Sequence, residues 1–426
     1  MIVIIQFAIF MLLVLIAFPM ALGMAASPLL MIIMDGTIPP LIVAQRMFVG
    51  VDSLPMLAIP LFLLAGSMME SGGISKRLID FSSAIVGHLR GGLAMMSVLA
   101  SMIFAGVSGS STADVAAVGS ITMPAMVKDG YEKGWVATMQ ACAGTIGPII
   151  PPSIFMIIYG GITGLSIGRM FLGGIVPGIM VGIALMISSY FYARKNNIGG
   201  GERKSFKEVL KYFLDSIWAL LLPVIIIGGI LSGVFTATEA GMIAVLYAAV
   251  VSLFVYKELT PKDLPAIFLK SGISSIAILM ISSAANIFGY VLAKEHFPAM
   301  VVDLMMSIST NKLIITAVII VFFLFLGCFV DIMASLIIFT PVLQPLIAAY
   351  GFDPVHFAVI FIIVLLIGQV TPPVGVVLAV TTNMMEIQMK DTLKYLLPLL
   401  GSYVVTLLII AYIEPLVTFI PNLFYG

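Results

Sequence analysis

A cluster of hydroxyl groups and one carboxylate stands inside an otherwise apolar part of this chain. The first nine residues of the stretch "GVSGSSTADVAAVGSITMPAM" at 106–126 contain the following polar side chains: Ser108, Ser110, Ser111, Thr112 and Asp114. Oxygen atoms of this kind replace the water around a small hard cation such as sodium. Because a carboxylate is expensive in an apolar surrounding, the stretch predicts a buried polar pocket.

Two proline-rich motifs follow in a repeated order. "GTIGPIIPPS" at 144–153 comes after Asp114, and "GQVTPPVG" at 368–375 comes after Asp331, which ends the short run "GCFVD". Proline blocks continuation of a helix, and glycine permits tight turns. Each break frees carbonyl oxygens at the end of one half-helix, which suit a cation. It also exposes N–H groups at the start of the next half-helix, which suit a carboxylate.

The composition indicates what surrounds these motifs. Hydrophobic residues make up 61% of the chain and charged residues 9%, so we expect an all-α polytopic membrane protein. Lys plus Arg equal Asp plus Glu, and this neutral balance gives no indication of a nucleic-acid partner. Cys142 and Cys328 lie in apolar runs and are interpreted as packed thiols rather than as a disulfide.

Basic residues gather in four connections, which the positive-inside rule assigns to the cytoplasmic side. These connections lie around 76–90, 194–211, 257–270 and 390–394. Between them we predict full crossings at 1–23, 27–49, 54–70, 135–163, 170–192, 218–235, 239–256, 272–292, 355–384 and 395–420. Both chain termini are then expected outside. The amphipathic segments Arg203–Asp215 and Thr260–Lys270 are predicted to lie along the membrane surface.

Four apolar segments are too short to cross a bilayer, which takes about 20 helical residues. They occupy 93–104, 115–127, 314–326 and 332–348. We interpret them as two re-entrant hairpins, one in each half of the chain. Three crossings precede each hairpin, so the second half is predicted to be an inverted copy of the first. Inverted repeats with broken helices are typical of secondary transporters, which bind substrate and coupling ions near the midplane.

Simpler roles remain open for single residues. The hydroxyl groups at the first hairpin tip could bond only to helix carbonyls. Asp114 and Asp331 could each cap the half-helix that follows. Ser153 begins a half-helix and could donate to a substrate carboxylate. Glu239 in "TATEAG" is interpreted as a cap in preference to a ligand.

The chain resembles the large membrane subunit of tripartite ATP-independent periplasmic (TRAP) transporters, the DctM-like family, which includes sialic acid (SiaM-type) members. The resemblance rests on "AGVSGSSTADVAAVGSITMPAM", "GTIGPIIPPS", "FTATEAG" and "GQVTPPVG" in matching order. It implies an inverted-repeat elevator-type fold of the ion transporter superfamily. Scaffold helices and arms would occupy 1–90 and 218–312, a cytoplasmic linker 194–217, and the moving transport domain 91–193 and 313–426.

The same resemblance implies at least two Na⁺ sites and an anion site between them. One sodium site would use Ser108, Ser111, Gly144 and Gly147; the other would use Gly327, Cys328, Gly368 and Thr371. Substrate would lie near Ser110, Ser153 and Asp331. Structural or coupling roles would fall to Asp114, Pro151, Pro152, Pro372, Pro373 and Glu239. The second tip has only Cys328 where the first has four hydroxyls, so its cation would depend more on backbone oxygens.

The function that the resemblance implies is sodium-driven import of an organic acid across the bacterial inner membrane. A soluble periplasmic binding protein would deliver the acid, and a small four-helix membrane subunit, expected as a separate chain, would brace the scaffold. No arginine or lysine stands in the motifs, which favours a monocarboxylate such as sialic acid over a C4-dicarboxylate. A proton-coupled transporter using Asp114 and Asp331 is the alternative. The scattered histidines and the absence of a nucleotide-binding loop argue against an enzyme and an ATP-driven pump.

Overall fold

The computed structural model describes residues 2–16, 18–36 and 38–425, with the side chain of Leu15 excepted. Within these residues every regular element is a helix and no strand occurs, so the predicted all-α class is confirmed. Met1, Ala17, Thr37 and Gly426 belong to segments for which we predicted crossings or a transport domain, and they lie outside the described residues.

The first half of the chain contains eleven α-helices within the described residues. They are α1 (Ile2–Leu15), α2 (Met20–Asp35), α3 (Leu41–Val49), α4 (Leu54–Ser71), α5 (Ile74–Val86), α6 (Gly92–Ser108), α7 (Ser111–Asp114), α8 (Ser120–Lys128), α9 (Lys133–Gly144), α10 (Ile154–Thr163) and α11 (Ile167–Lys195). A π-helical segment, Val115–Gly119, joins α7 to α8. Such segments often occur at functional sites.

The second half contains ten more. They are α12 (Phe206–Leu231), α13 (Ala237–Val250), α14 (Leu264–Lys294), α15 (Phe297–Ile308), α16 (Lys312–Gly327), α17 (Ile332–Ala349), α18 (Pro354–Gly368), α19 (Val376–Met384), α20 (Leu393–Tyr412) and α21 (Pro415–Tyr425). Seven helical segments of the described residues are long and apolar enough to cross a membrane. An eighth is possible if α15 and α16, which meet at a 120° bend, count as one span.

The same order of elements occurs twice. A short helix leads into a hairpin, first as α5, α6 and α7–α8, then as α15, α16 and α17. A helix broken by a proline-rich loop follows, first as α9 and α10, then as α18 and α19. A long helix ends each series, α11 or α20. The half-spans predicted at 93–104 and 314–326 therefore correspond to α6 and α16. The half-span predicted at 332–348 corresponds to α17, whose 18 residues place it among the seven segments long and apolar enough to cross a membrane, so its predicted shortness is wrong.

Several predicted segments differ from the structure, and proline explains two of them. The predicted crossing at 1–23 consists of two helices, because Pro19 precedes α2 and cannot continue α1. The predicted crossing at 395–420 ends early at Tyr412, and Pro415 begins a separate helix. The predicted crossing at 27–49 is likewise divided between α2 and α3.

The two predicted surface segments are not separate helices. Arg203–Asp215 runs without a break into the apolar part of α12, whose start is capped by Ser205 and Glu208. Thr260–Lys270 similarly leads into α14. The amphipathic pattern identified the first turns of long helices, because an unbroken hydrogen-bond ladder continues across the change in composition.

Burial places the first broken loop, and the helices that lead into both broken loops, at the centre of the molecule. Each residue of α9 from Gly134 to Gly144 is buried, and so is each residue of α18 from Val355 to Gly368. α9 packs against α6, α19 and α20, and α18 packs against α16, α17 and α20. The loop that follows α9 is consequently held among packed helices, whereas the loop that follows α18 reaches the surface, where Val374 is 47% exposed.

Candidate functional site

The first hairpin tip lies directly on the first broken loop. α6 ends at Gly109, whose φ of +57° is in the left-handed region, and Ser110 is extended before α7 begins. A β-carbon added to Gly109 would stand 2.6 Å from the carbonyl oxygen of Pro152. Glycine therefore serves here both for the turn and for the close approach of two backbones.

The hydroxyl groups of this tip bond partly to one another. Ser110 donates its backbone N–H to Ser108 Oγ at 3.5 Å, and its own Oγ lies 3.3 Å from Thr112 Oγ1. Ser111 and Ser108 are buried, whereas Thr112 is exposed. The Cα of Ser108 lies 3.4 Å from the position of a β-carbon on Gly66, so Ser108 borders α4.

Asp114 is completely buried and only half satisfied. Its Oδ1 accepts a hydrogen bond of 2.8 Å from Ser101 Oγ on α6. Its Oδ2 has no hydrogen-bond partner among the described residues. Asp114 caps no helix, so the capping role left open for it is not the one it has here. A buried acceptor without a partner requires an explanation, since leaving it unpaired costs about 1–3 kcal/mol.

Backbone oxygens and Asp114 converge on the glycines of the first broken loop. A β-carbon on Gly147 would stand 3.4 Å from Asp114 Oδ2 and 3.5 Å from the Ser110 carbonyl oxygen. One on Gly144 would stand 3.1 Å from the Ser111 carbonyl oxygen. Of the predicted first sodium set, the structure thus brings Ser111, Gly144 and Gly147 together, with Ser108 at the edge.

The second tip is built from backbone contact. A β-carbon on Gly368 would lie 2.6 Å from the Cα, carbonyl carbon and carbonyl oxygen of Gly327, so α16 and α18 touch where both end. Val374 also donates its N–H to the Cys328 carbonyl oxygen at 3.3 Å. Gly327, Cys328 and Gly368 of the predicted second set are therefore brought together.

The side chains of this second set face their own helix. Cys328 Sγ lies 3.1 Å from the Leu324 carbonyl oxygen, and Thr371 Oγ1 donates to the Ile367 carbonyl oxygen at 2.8 Å. The oxygens that the second tip presents to its loop are consequently mainly backbone oxygens.

The residues predicted to bind substrate begin helices. Ser153 is buried, precedes α10 and accepts from the Met156 N–H at 3.3 Å. Asp331 precedes α17 and accepts from the Met333 N–H at 2.8 Å, so its carboxylate is a helix cap. Across the described ranges no hydrogen bond joins Ser110, Ser153 and Asp331 to one another.

The predicted structural residues have defined positions. The peptide bonds Pro151–Pro152 and Pro372–Pro373 are both cis and lie within the two breaks. Glu239 forms a capping box with Thr236, accepting from its N–H at 2.8 Å and donating its own N–H to Thr236 Oγ1 at 3.3 Å. Glu239 thus has the capping role that was preferred from the sequence.

Gln369 joins the two repeats and was not identified from the sequence. Its Oε1 accepts a hydrogen bond of 3.0 Å from Ser111 Oγ, and its carbonyl oxygen accepts from the Val377 N–H at 3.0 Å. The side chain therefore connects the first hairpin tip to the second broken loop. The only signal was a lone amide inside "GQVTPPVG".

A second polar group, also not predicted, lies behind the first tip. Ser97 on α6 and Thr122 on α8 are 3.0 Å apart at their hydroxyl oxygens. Both donate to Gln140 Oε1 on α9. Since all three side chains are buried, the network fixes both arms of the first hairpin to the helix that carries the broken loop.

Comparison with known proteins agrees with this architecture. The sequence profile of the tripartite ATP-independent periplasmic transporter, DctM component, matches residues 7–416. The chain is 38% identical to the isethionate TRAP transporter permease protein DctMQ of Oleidesulfovibrio alaskensis, over 99% of this chain and 66% of that protein. It is 40% identical to the C4-dicarboxylate TRAP transporter large permease protein DctM of Pseudomonas aeruginosa, over 89% of each.

A third relative carries another substrate name. The sialic acid TRAP transporter large permease protein SiaM of Vibrio cholerae is 36% identical, over 90% of each chain. These three relatives are thus named for different acids, although their sequence identities to this chain are similar.

Proposed function

This chain belongs to the DctM component family of tripartite ATP-independent periplasmic transporters, and we propose that it imports an organic acid anion together with sodium. It is a multi-pass membrane protein and a large permease subunit for organic acids, not an enzyme. Such subunits work with a small membrane subunit and a periplasmic binding protein.

The observation that carries the proposal is the contact of each hairpin tip with a broken loop. At the first tip, the Ser110 and Ser111 carbonyls and Asp114 Oδ2 surround Gly144 and Gly147. At the second, the ends of α16 and α18 meet at Gly327 and Gly368. Sodium would bind oxygens at both places, and its charge with the helix N-termini would offset the charge of the acid.

We assign the substrate to the space between the tips, near Ser110, Ser153 and Asp331. Ser153 and Asp331 each precede a half-helix, whose positive dipole end attracts a carboxylate, and their side chains already accept from the Met156 and Met333 N–H groups. The Ser111–Gln369 hydrogen bond would link occupation of the first sodium site to the second broken loop. This link provides a physical route for coupling sodium to the acid.

An elevator movement is the proposed mechanism. α4 packs along α13, and α14 packs on α2, α3 and α4, which supports a scaffold at 1–90 and 218–312. α11 and α20 each pack on α9 and α18, the helices that lead into the broken loops, which supports a transport domain at 91–193 and 313–426. The transport domain would carry acid and sodium past the scaffold as a rigid body.

Sialic acid is the first candidate substrate and a C4-dicarboxylate the second. The motifs contain no arginine or lysine, so one carboxylate is easier to neutralise there than two. Relatives named for sialic acid, C4-dicarboxylate and isethionate make these three acids the panel to test. The partners would be a separate small four-helix subunit and a periplasmic binding protein, and the complex would lie in the bacterial inner membrane with both termini of this chain outside.

The test uses proteoliposomes that contain this subunit with its small subunit, and a binding protein loaded with sialic acid, succinate or isethionate. An inward sodium gradient should drive accumulation of one acid, and an equal potassium gradient should not. If uptake does not depend on sodium and is driven by an inward proton gradient, sodium coupling is wrong. The proton-coupled alternative, with Asp114 and Asp331 as proton carriers, would then hold. Liposomes without this subunit serve as the control.

A further inference from the structure

A cavity of about 780 Å³ separates two groups of helices away from the hairpin tips. α3 and α14 form one wall, with Arg46, Asn286 and Tyr290. α10 and α17 form the other, with Gly161 and Pro341. Its size is that of a small-molecule site.

Arg46 is the unusual member of this lining. Its guanidinium carbon lies 4.3 Å from the centre of the Tyr290 ring, a cation–π contact that fixes the side chain. Among the described residues, no carboxylate lies within ion-pair distance of it. Lys294, which lines the same cavity, is paired with Asp35 at 2.7 Å. The N–H groups of Arg46 are thus held at a cavity wall without a carboxylate partner.

The cavity lies beside the two half-helices that follow the proposed substrate residues, near the far end of α10 and the middle of α17. Gly161 lies seven residues after the start of α10, about 12 Å from Ser153 along the helix. Ile337 and Pro341 lie along α17, which begins after Asp331. In the topology predicted from the basic connections, α10 and α14 both end on the outer side, so the cavity faces the side from which the acid arrives.

We propose that Arg46 captures the carboxylate of the organic acid in this cavity before the acid reaches the hairpin tips. This inference rests on the proposed function. The planar guanidinium binds a carboxylate through two parallel hydrogen bonds, and Tyr290 holds the fork in place. Ser53 and Asn286 supply neutral polar groups beside it. The hairpin tips and broken loops contain no arginine or lysine. Arg46 provides a fixed positive charge in the cavity that the acid would pass before it reaches the tips.

The first experiment measures the uptake rate at saturating concentrations of binding protein loaded with sialic acid, succinate or isethionate. Arg46→Gln should lower the maximal rate about tenfold, the loss expected for one strong charge-assisted hydrogen-bond pair. The binding-protein concentration for half-maximal rate should stay within twofold. Arg169→Gln is the matched control, because Arg169 donates to Asn422 at 3.0 Å and does not line this cavity.

The second experiment separates charge from packing. Arg46→Cys should lose the same rate, regain most of it after reaction with 2-aminoethyl methanethiosulfonate, which restores a positive charge with N–H donors, and regain none with the sulfonatoethyl reagent. Wild-type protein treated with both reagents is the control for Cys142 and Cys328. Tyr290→Phe should keep the wild-type rate, since the ring remains.

Three results would overturn the inference. One is an Arg46→Gln rate equal to wild type. Another is equal recovery with reagents of either charge. The third is a shift only in the half-maximal binding-protein concentration, which would make Arg46 a docking residue. Failure of the proposed function is distinct, because wild-type protein would then show no sodium-dependent uptake of any of the three acids.

Discussion

The two hairpin tips occupy equivalent places in the repeat and are built from different chemical groups. The first has buried side-chain oxygens, with Ser111 bonded to Gln369 and Asp114 bonded to Ser101. The second has two glycine backbones in contact, Gly327 and Gly368, and its Cys328 and Thr371 side chains bond to their own helices. The repeat thus keeps the position of the hairpin tip while the oxygen atoms that the tip presents come from different groups.

The two aspartates differ in the same way. Asp114 is buried inside a helix with one oxygen unpaired, whereas Asp331 caps the start of α17 through the Met333 N–H. The first carboxylate has an oxygen available to a cation, and the second has a structural partner already. The two halves should therefore respond differently to matched substitutions.

The largest difference is expected for the loop glycines. Gly368→Ala places a methyl group 2.6 Å from three backbone atoms of Gly327, which cannot move without shifting α16. Gly147→Ala meets its nearest atom, the Gly144 carbonyl oxygen, at 3.2 Å. We expect Gly368→Ala to lower stability by about 3 kcal/mol and abolish uptake, and Gly147→Ala to lower stability by about 1 kcal/mol. Thermal unfolding in detergent checks this order, and equal melting temperatures would refute the contrast.

The aspartates are expected to give the next largest effect. Asp331→Ala should abolish uptake while the protein still inserts into the membrane. The loss of the helix cap should lower its stability by about 1 kcal/mol. Asp331→Asn is the matched control, because asparagine also caps helices but carries no charge. Wild-type uptake by Asp331→Asn would assign Asp331 to capping alone. Asp114→Ala should lower stability more than Asp331→Ala, since it leaves the buried Ser101 hydroxyl without its partner.

The tip side chains should show the contrast in sodium affinity. Ser111→Ala removes a proposed ligand, so the sodium concentration for half-maximal uptake should rise about tenfold, the equivalent of about 1.4 kcal/mol. Cys328→Ala should change it less than twofold, because the backbone oxygen remains. Gln369→Ala shows how much of the Ser111 effect comes from the lost hydrogen bond. If Ser111→Ala and Cys328→Ala raised the half-maximal sodium concentration equally, the two tips would not differ in their use of side-chain and backbone oxygens as ligands.

The smallest effects are expected where the half-helices of the broken spans begin. Asp353 precedes α18 and accepts from the Val355 and His356 N–H groups at 2.9 Å. Glu132 precedes α9, makes no such cap and pairs instead with Lys394 at 2.7 Å. Asp353→Ala should lower stability by about 1 kcal/mol. Glu132→Gln should lower it less, because both partners of that ion pair are largely exposed.

The pH dependence of the Glu132 effect has a definite sign. The hydrogen bond from Lys394, with one from Tyr395, lowers the pKa of Glu132. Its stabilisation is present above the ordinary carboxylate pKa and is lost as the pH falls through the lowered folded value. The melting temperatures of wild type and Glu132→Gln should converge below the ordinary carboxylate range. A gap that widens there would contradict this assignment.

The sequence was sufficient for features that depend on local chemistry. The breaks at Pro151 and Pro372 and the cap at Glu239 follow from proline and capping residues, whereas the half-span predicted at 332–348 is a helix long and apolar enough to cross a membrane. The site contacts of Ser101 and Gln369 did not follow. The hydrogen bond between Ser111 and Gln369 depends on how the first hairpin packs against the second broken loop, and residue spacing along the chain does not predict that packing.

The sodium dependence of uptake at saturating loaded binding protein shows whether each repeat contributes one cation site between its tip and its broken loop. With two such sites, we expect a sigmoidal curve with a Hill coefficient above one, which Ser111→Ala shifts to higher sodium concentration. A hyperbolic curve with a single sodium site, or a rate that does not change with sodium, would contradict it.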